Sequence, residues 1–128
     1  MSLTDELKTR SIDGIEGLFV VIVQDVDSGE ILMQAYADEP AIEKTLETGL
    51  AHYYSTSRRK PWLKGESSGH TQKVEEIYVD CDGDALIYRI RKEHPACHMG
   101  YHTCFFRKIS DGEITAYCEP EYNPKEVY

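Results

Sequence analysis

Three short stretches of the chain carry residue types that could do chemistry. The first is Asp80-Cys81-Asp82-Gly83-Asp84. Alternate side chains of a strand share a face, so a strand here would set Asp80, Asp82 and Asp84 on one side and Cys81 on the other. Hard carboxylate oxygens suit Mg²⁺ or Ca²⁺, whereas a thiolate suits Zn²⁺. The plainer alternative is an acidic hairpin turn bending at Asp82-Gly83; an EF-hand is excluded by the lack of a later Glu at the required spacing. The second stretch runs from Cys97-His98-Met99-Gly100 to Tyr101-His102-Thr103-Cys104. Its two cysteines flank a Gly-containing turn and could meet on one ion, with His98 beside them as an acid or base. His94 and His102 continue a four-residue step, but Pro95 and Gly100 argue against one helix, so those two read as surface or core histidines. The third stretch spans Ser55 to His70. Arg58, Arg59, Lys60 and Lys64 are bunched among Ser and Gly residues around the lone Trp62. Hydroxyls, guanidinium groups and backbone amides are what a phosphate monoester needs. The alternatives are a solvated basic loop and a Trp that fills the core.

The rest of the sequence must position these groups. The chain has 128 residues, 14 Lys+Arg against 23 Asp+Glu, and a formal charge of −9. That length fits one domain over 1–128, with a core large enough to fold without a disulfide scaffold. The acidic balance argues against nucleic-acid or anionic-membrane partners, and no apolar run approaches a membrane span. The first residues lack the pattern of a secretory signal, which makes a cytoplasmic protein the expectation. In that compartment Cys81, Cys97, Cys104 and Cys118 suggest metal or catalysis over disulfides, although no CxxC pair is present and four small buried hydrophobes are the competing explanation.

Leu18–Gln24 reads as a buried strand and Glu30–Tyr36 as its hairpin partner across Asp27-Ser28-Gly29. Asp38 as N-cap, Pro40 in the first turn and Gly49 as the stop mark the one clear helix. A shorter helix start is expected at Thr4–Lys8. Strands are expected at Ala51–Ser57, Lys73–Asp82, Ala85–Lys92, Thr103–Ile109 and Glu113–Tyr117, with Arg58–His70 as a long loop. The tail from Glu119 should wrap or fray. With only one crossover helix, antiparallel hairpins should dominate.

The order of motifs is distinctive. Leu32-Met33-Gln34-Ala35-Tyr36 is followed by Ser55-x-Ser57-Arg58, Trp62-x-Lys64-Gly65-Glu66-x-Ser68-Gly69-His70, Val79-Asp80-Cys81-Asp82-x-Asp84, Ala96-Cys97-His98-x-Gly100 and Cys104-Phe105. Together they resemble phosphoribosyl-AMP cyclohydrolase over about 17–108, leaving 109–128 as a C-terminal extension. The resemblance implies a mainly β (α+β) domain with a folded mixed or antiparallel sheet, a pseudo-barrel, and one clear helix. It implies a homodimer with Zn²⁺ bound by Cys81 of one subunit and Cys97 and Cys104 of the other, and Mg²⁺ at Asp80, Asp82 and Asp84. The implied reaction is hydrolysis of the N1–C6 bond of the adenine ring in N1-(5-phosphoribosyl)-AMP, the third step of histidine biosynthesis. A zinc-bound hydroxide would attack C6 with His98 as acid/base, and Ser55, Ser57, Arg58, Trp62, Lys64, Gly65, Glu66, Ser68 and His70 would hold the nucleotide. Thr56, Pro61 and Met99 depart from residues the family often shows. A rival reading is a non-catalytic zinc module whose fourth ligand is Cys118. A second rival, a nucleoside deaminase, lacks its His-x-Glu and Pro-Cys-x-x-Cys signature.

Overall fold

The computed structural model describes residues 7–66 and 68–122. The elements in chain order are β1 (Arg10–Ile12), β2 (Ile15–Asp25), β3 (Ile31–Ala37), α1 (Glu39–Thr48), β4 (His52–Ser55), β5 (Lys60–Leu63), β6 (Lys73–Val79), β7 (Ala85–Arg91), β8 (Arg107–Ser110) and β9 (Glu113–Ala116). The helix start expected at Thr4–Lys8 falls mostly outside the described residues.

Strand β2 is the spine. Its start pairs with β1, and Phe19–Gln24 pair antiparallel with β3. Val20–Asp25 pair with β7, and β6 pairs antiparallel with β7 in turn. The result is a curled, mixed, five-stranded half-barrel, with β4–β5 and β8–β9 as separate two-stranded ribbons. The expected architecture, mainly β with one helix, is the observed one. Alternation along β2 builds the core. Phe19, Val21 and Val23 are buried and stand opposite Ala37, Ala35 and Met33 of β3. On the other side Val21 and Val23 face Leu86 and Tyr88 of β7. Each such aliphatic or aromatic side chain gains roughly 1.5–3 kcal/mol by leaving water.

The helix begins and ends where its caps dictate. Asp38 Oδ1 accepts the Ala41 N–H at 2.9 Å, and Gly49, at φ +77°, donates its N–H to the Thr45 carbonyl at 2.8 Å. Ala41, Ile42 and Thr45 face inward. The Thr45 hydroxyl also accepts the His52 N–H at 2.9 Å. One buried side chain of α1 thereby fixes the entry of β4, the strand that leads to Ser55.

Four features differ from the sequence expectation. The central pair β2–β7 is parallel; its crossover is the whole excursion through β3, α1, the β4–β5 ribbon and β6, so no second helix is needed. The stretch Arg58–His70 is not one loop. Lys60–Leu63 form β5, antiparallel to β4, with Pro61 opposite Tyr54. A two-stranded ribbon has free edges, where Pro is tolerated, and the basic run hides the strand pattern. β6 stops at Val79, so Asp80–Asp84 form the turn into β7 rather than a strand face. Finally, Thr103–Phe106 are irregular. The Thr103 hydroxyl donates to the Ile31 carbonyl at 2.8 Å, and the Cys104 N–H donates to the Leu32 carbonyl at 2.6 Å, which pins this segment to the start of β3 before β8 can begin.

Candidate active site

The β4–β5 ribbon and the turn that follows it line one side of a cleft of about 680 Å³. Ser55 ends β4, and Thr56–Arg59 make the hairpin turn, with Arg59 in the left-handed region at φ +53°. The Ser55 hydroxyl lies 3.3 Å from that of Ser57 and accepts the Arg58 N–H at 3.3 Å. A hydroxyl pair thus shares the cleft wall with Arg58. Trp62 lines the cleft while packing on buried Tyr53, with ring centroids 5.4 Å apart. It is thus both a core contact and part of the cleft wall.

Lys64 is only 6% exposed. Its Nζ donates to the Ala96 carbonyl at 2.9 Å and sits 5.6 Å from the Trp62 ring centroid. A buried ammonium is costly unless partnered, and these contacts hold it between the ribbon and the Cys97 loop. Gly65, at φ +87°, begins the next turn. A Cβ there would overlap the His70–Thr71 peptide. Gly65→Ala is expected to lower stability by at least ~2 kcal/mol, since both backbone strain and overpacking act at once; a urea midpoint equal to wild type would contradict this close approach.

Met33, Gln34, Lys60, Ala96, His98 and Cys104 complete the cleft wall with Glu66 and Ser68. Ten of the residues named from the sequence are therefore brought together: Ser55, Ser57, Arg58, Trp62, Lys64, Gly65, Glu66, Ser68, His98 and Cys104. Arg58, Lys60 and Lys64 against the single Glu66 make this concavity cationic in a chain of charge −9. His70 is not in the wall. It stacks on His94 at 4.6 Å, and its own burial, then His94 and Lys64, hold its pKa below the usual histidine value. His102 lies within 2.9 Å of Glu30 Oε2, the bland surface pairing expected of it.

Cys97 is buried, and its Sγ accepts the Met99 N–H at 3.4 Å. The Cys104 thiol is pushed up to about 12 by burial, then by the neighbouring Cys97, with Lys64 opposing. Two thiols this close cannot both ionise without a cation. A soft divalent ion between them would supply it, so this pair of sulfur donors fits zinc. Cys81 is exposed and lies in a different groove, of about 590 Å³, with Asp80, Asp82 and Leu46. Among the described residues no group of three thiols gathers within one chain, and Cys118 does not complete one.

The only metal-sized group of three among the described residues is Asp80, Asp82 and Asp84, with ligand oxygens within 4.8 Å of one another. The turn, not strand alternation, makes them converge. Asp80 Oδ1 accepts the N–H groups of Gly83, Asp84 and Ala85 at 2.9, 3.2 and 3.3 Å. Partial burial pushes its pKa upward, but these amides outweigh that and hold it below the ordinary carboxylate value. Asp84 Oδ2 meets Arg10 at 2.8 Å. The remaining oxygens are hard donors of the kind Mg²⁺ takes.

The phosphoribosyl-AMP cyclohydrolase family model matches residues 33–106. A protein of that name from Methanothermobacter thermautotrophicus is 49% identical over 121 residues, covering 93% of this chain and 87% of its own length. Those from Methanococcoides burtonii and Natronomonas pharaonis are 50% and 51% identical, covering 96% and 87% of this chain and 98% and 90% of theirs. The chain belongs to the phosphoribosyl-AMP cyclohydrolase family. The family match encloses every residue of the cleft wall, the three aspartates and the thiols of Cys81, Cys97 and Cys104. It leaves out Cys118 and the tail. Sequence reasoning placed no site role on Met33 or Gln34, although both sit inside a family motif. It also passed over buried Gln72, whose Nε2 donates to Met33 Sδ at 3.2 Å beneath the cleft.

Proposed function

We propose that this chain hydrolyses the N1–C6 bond of the adenine ring in N1-(5-phosphoribosyl)-AMP, the third step of histidine biosynthesis, as a zinc-dependent cytoplasmic homodimer. The observation that supports it most is the single cleft joining phosphate-type donors, an aromatic wall, His98 and a thiol in a chain of this family. Arg58, Lys60 and Lys64, with the Ser55 and Ser57 hydroxyls, would meet the anionic phosphates, for which guanidinium and hydroxyl donors are suited. Trp62 offers its face to the base.

Cys97 and Cys104, with Cys81 of a second copy, would hold Zn²⁺. When bound, the ion supplies a Lewis acid that brings the pKa of water toward about 7. His98 takes a proton from the attacking water and returns one to N1 as the N1–C6 bond breaks, a role an imidazole suits near neutrality. The water oxygen stays on C6 as the carboxamide oxygen, and N1 leaves as an amidine nitrogen, so the step balances. Asp80, Asp82 and Asp84 would hold Mg²⁺, which offsets their mutual repulsion and offers a contact for a substrate phosphate.

Incubation of the purified chain with N1-(5-phosphoribosyl)-AMP, followed by the absorbance change of ring opening, tests the reading. Turnover should cease on chelation and return with zinc. A zinc-loaded chain that leaves the ring closed would refute the activity; undiminished turnover by zinc-stripped protein would refute the zinc dependence.

A further inference from the structure

We infer that the C-terminal segment Pro120–Tyr122 is a strap that positions the Cys97–Gly100 loop, with Tyr122 as a positioning residue for Cys97 and His98. The inference rests on the proposed function for its link to catalysis but not for its geometry. The strap lies outside the stretch 33–106 matched by the family model.

The two halves of the Cys97–Cys104 stretch are held in different ways. The Cys104 end is bonded to the sheet through Thr103 and the Cys104 N–H, which reach the carbonyls of Ile31 and Leu32. The Cys97 end is a tight tip closed on itself. Ala96 and Cys97 donate their N–H groups to the carbonyls of His102 and Tyr101 at 3.3 and 3.1 Å, and Gly100 N–H donates to the Cys97 carbonyl at 3.0 Å. From outside, Lys64 Nζ grips the Ala96 carbonyl. Two further contacts come from the tail. The Tyr122 hydroxyl donates to the Cys97 carbonyl at 3.3 Å, and the Glu121 N–H donates to the Gly100 carbonyl at 2.7 Å.

Gly100, at φ +93°, has no Cβ to keep the strap away; one placed there would overlap the Tyr122 carbonyl oxygen. Lys92 and Glu121 approach to 3.8 Å, and the Tyr122 ring stands edge-on to His70 at 5.2 Å. The same side chain therefore touches the Cys97 tip and the end of the Lys64–His70 turn. It ties the thiol loop to the segment that would hold the nucleotide. Loosening the strap should free Cys97 and His98 while leaving Cys104 in place.

Hydrogen exchange on the metal-free full chain reads this directly. Tyr122→Ala should accelerate exchange of the Cys97 and Gly100 amides about tenfold while amides of β2 and β3 keep wild-type protection. Tyr122→Phe keeps the ring on His70 but loses the bond to the Cys97 carbonyl, and should give a smaller acceleration at the same amides. With zinc and substrate, kcat of Tyr122→Ala should fall roughly three- to tenfold with KM within about twofold. Unchanged exchange at residues 96–101 in both variants would overturn the inference. So would equal acceleration throughout the sheet, which would make Tyr122 a general stability residue. If the wild-type chain opens no substrate, the proposed function fails, while the exchange result still decides the strap.

Discussion

Replacing His98 by alanine is expected to lower turnover by about 10²–10⁴-fold, the usual range for a lost general acid–base, while bound zinc stays at the wild-type level. The expectation rests on position. His98 lines the cleft, is exposed, and makes no side-chain hydrogen bond among the described residues, so truncation removes a proton carrier without removing a support of the fold. It is one residue from Cys97, whose carbonyl and Sγ are both engaged by neighbours, so the loop should keep its shape in the variant. His98→Asn, which retains a hydrogen-bonding side chain but cannot carry the proton, should be as slow as His98→Ala. Near-normal turnover in either variant, or loss of zinc from both, would remove His98 from this role. Metal content by atomic absorption and turnover on the same preparations distinguish the two outcomes.

The residue proposed as acid–base stands out in the sequence because it is adjacent to a candidate ligand. The wall it joins was much less so. The hairpin β2–β3 and the helix follow from local signals, the Asp27-Ser28-Gly29 turn and the Asp38 and Gly49 caps, because each is decided by residues a few positions apart. The cleft is decided by contacts among Met33–Gln34, Ser55–Ser68 and Ala96–Cys104, which no periodicity reports. Only the ordered motifs, read as a family resemblance, linked them. β5 was hidden because Lys60-Pro61 interrupts the apolar pattern at a free edge, and the parallel β2–β7 pair because its two strands are far apart in the chain. The three aspartates were identified correctly as a cluster, but for a different reason. A turn built on Asp80 Oδ1 gathers them, where strand alternation was expected to.

Cys81→Ser and Cys97→Ser are each expected to be inactive alone, and to regain about a quarter of wild-type activity when mixed in equal amounts and allowed to exchange subunits. The reasoning is geometric. Within one chain Cys104 lines the cationic cleft, whereas Cys81 lies in a separate groove with Asp80, Asp82, Leu46 and Val79. A three-thiolate set therefore needs Cys81 from a second copy. A two-fold dimer carries two equivalent sites. In a mixed dimer one site has both substitutions and the other has none. Random pairing makes about half of the dimers mixed, and each of those has one working site of two, which gives about a quarter. Each unmixed variant should show severe loss, since an open zinc site with three ligands does not keep its ion well on two. Exchange of subunits is verified independently with a mass-tagged variant. Failure to recover activity after verified exchange would place all three thiols in one chain, or remove Cys81 from the ligand set.

The most direct test of the central claim is to run the reaction in water enriched with heavy oxygen and locate the label in the product by fragmentation mass spectrometry. Attack at C6 with cleavage of the N1–C6 bond places one heavy oxygen on the carboxamide carbon of the imidazole product and none elsewhere. Label on a formyl group instead would mean attack at C2 and cleavage of the N1–C2 bond, and product without label would mean that water is not the nucleophile. Either result would contradict the ring opening proposed for this chain.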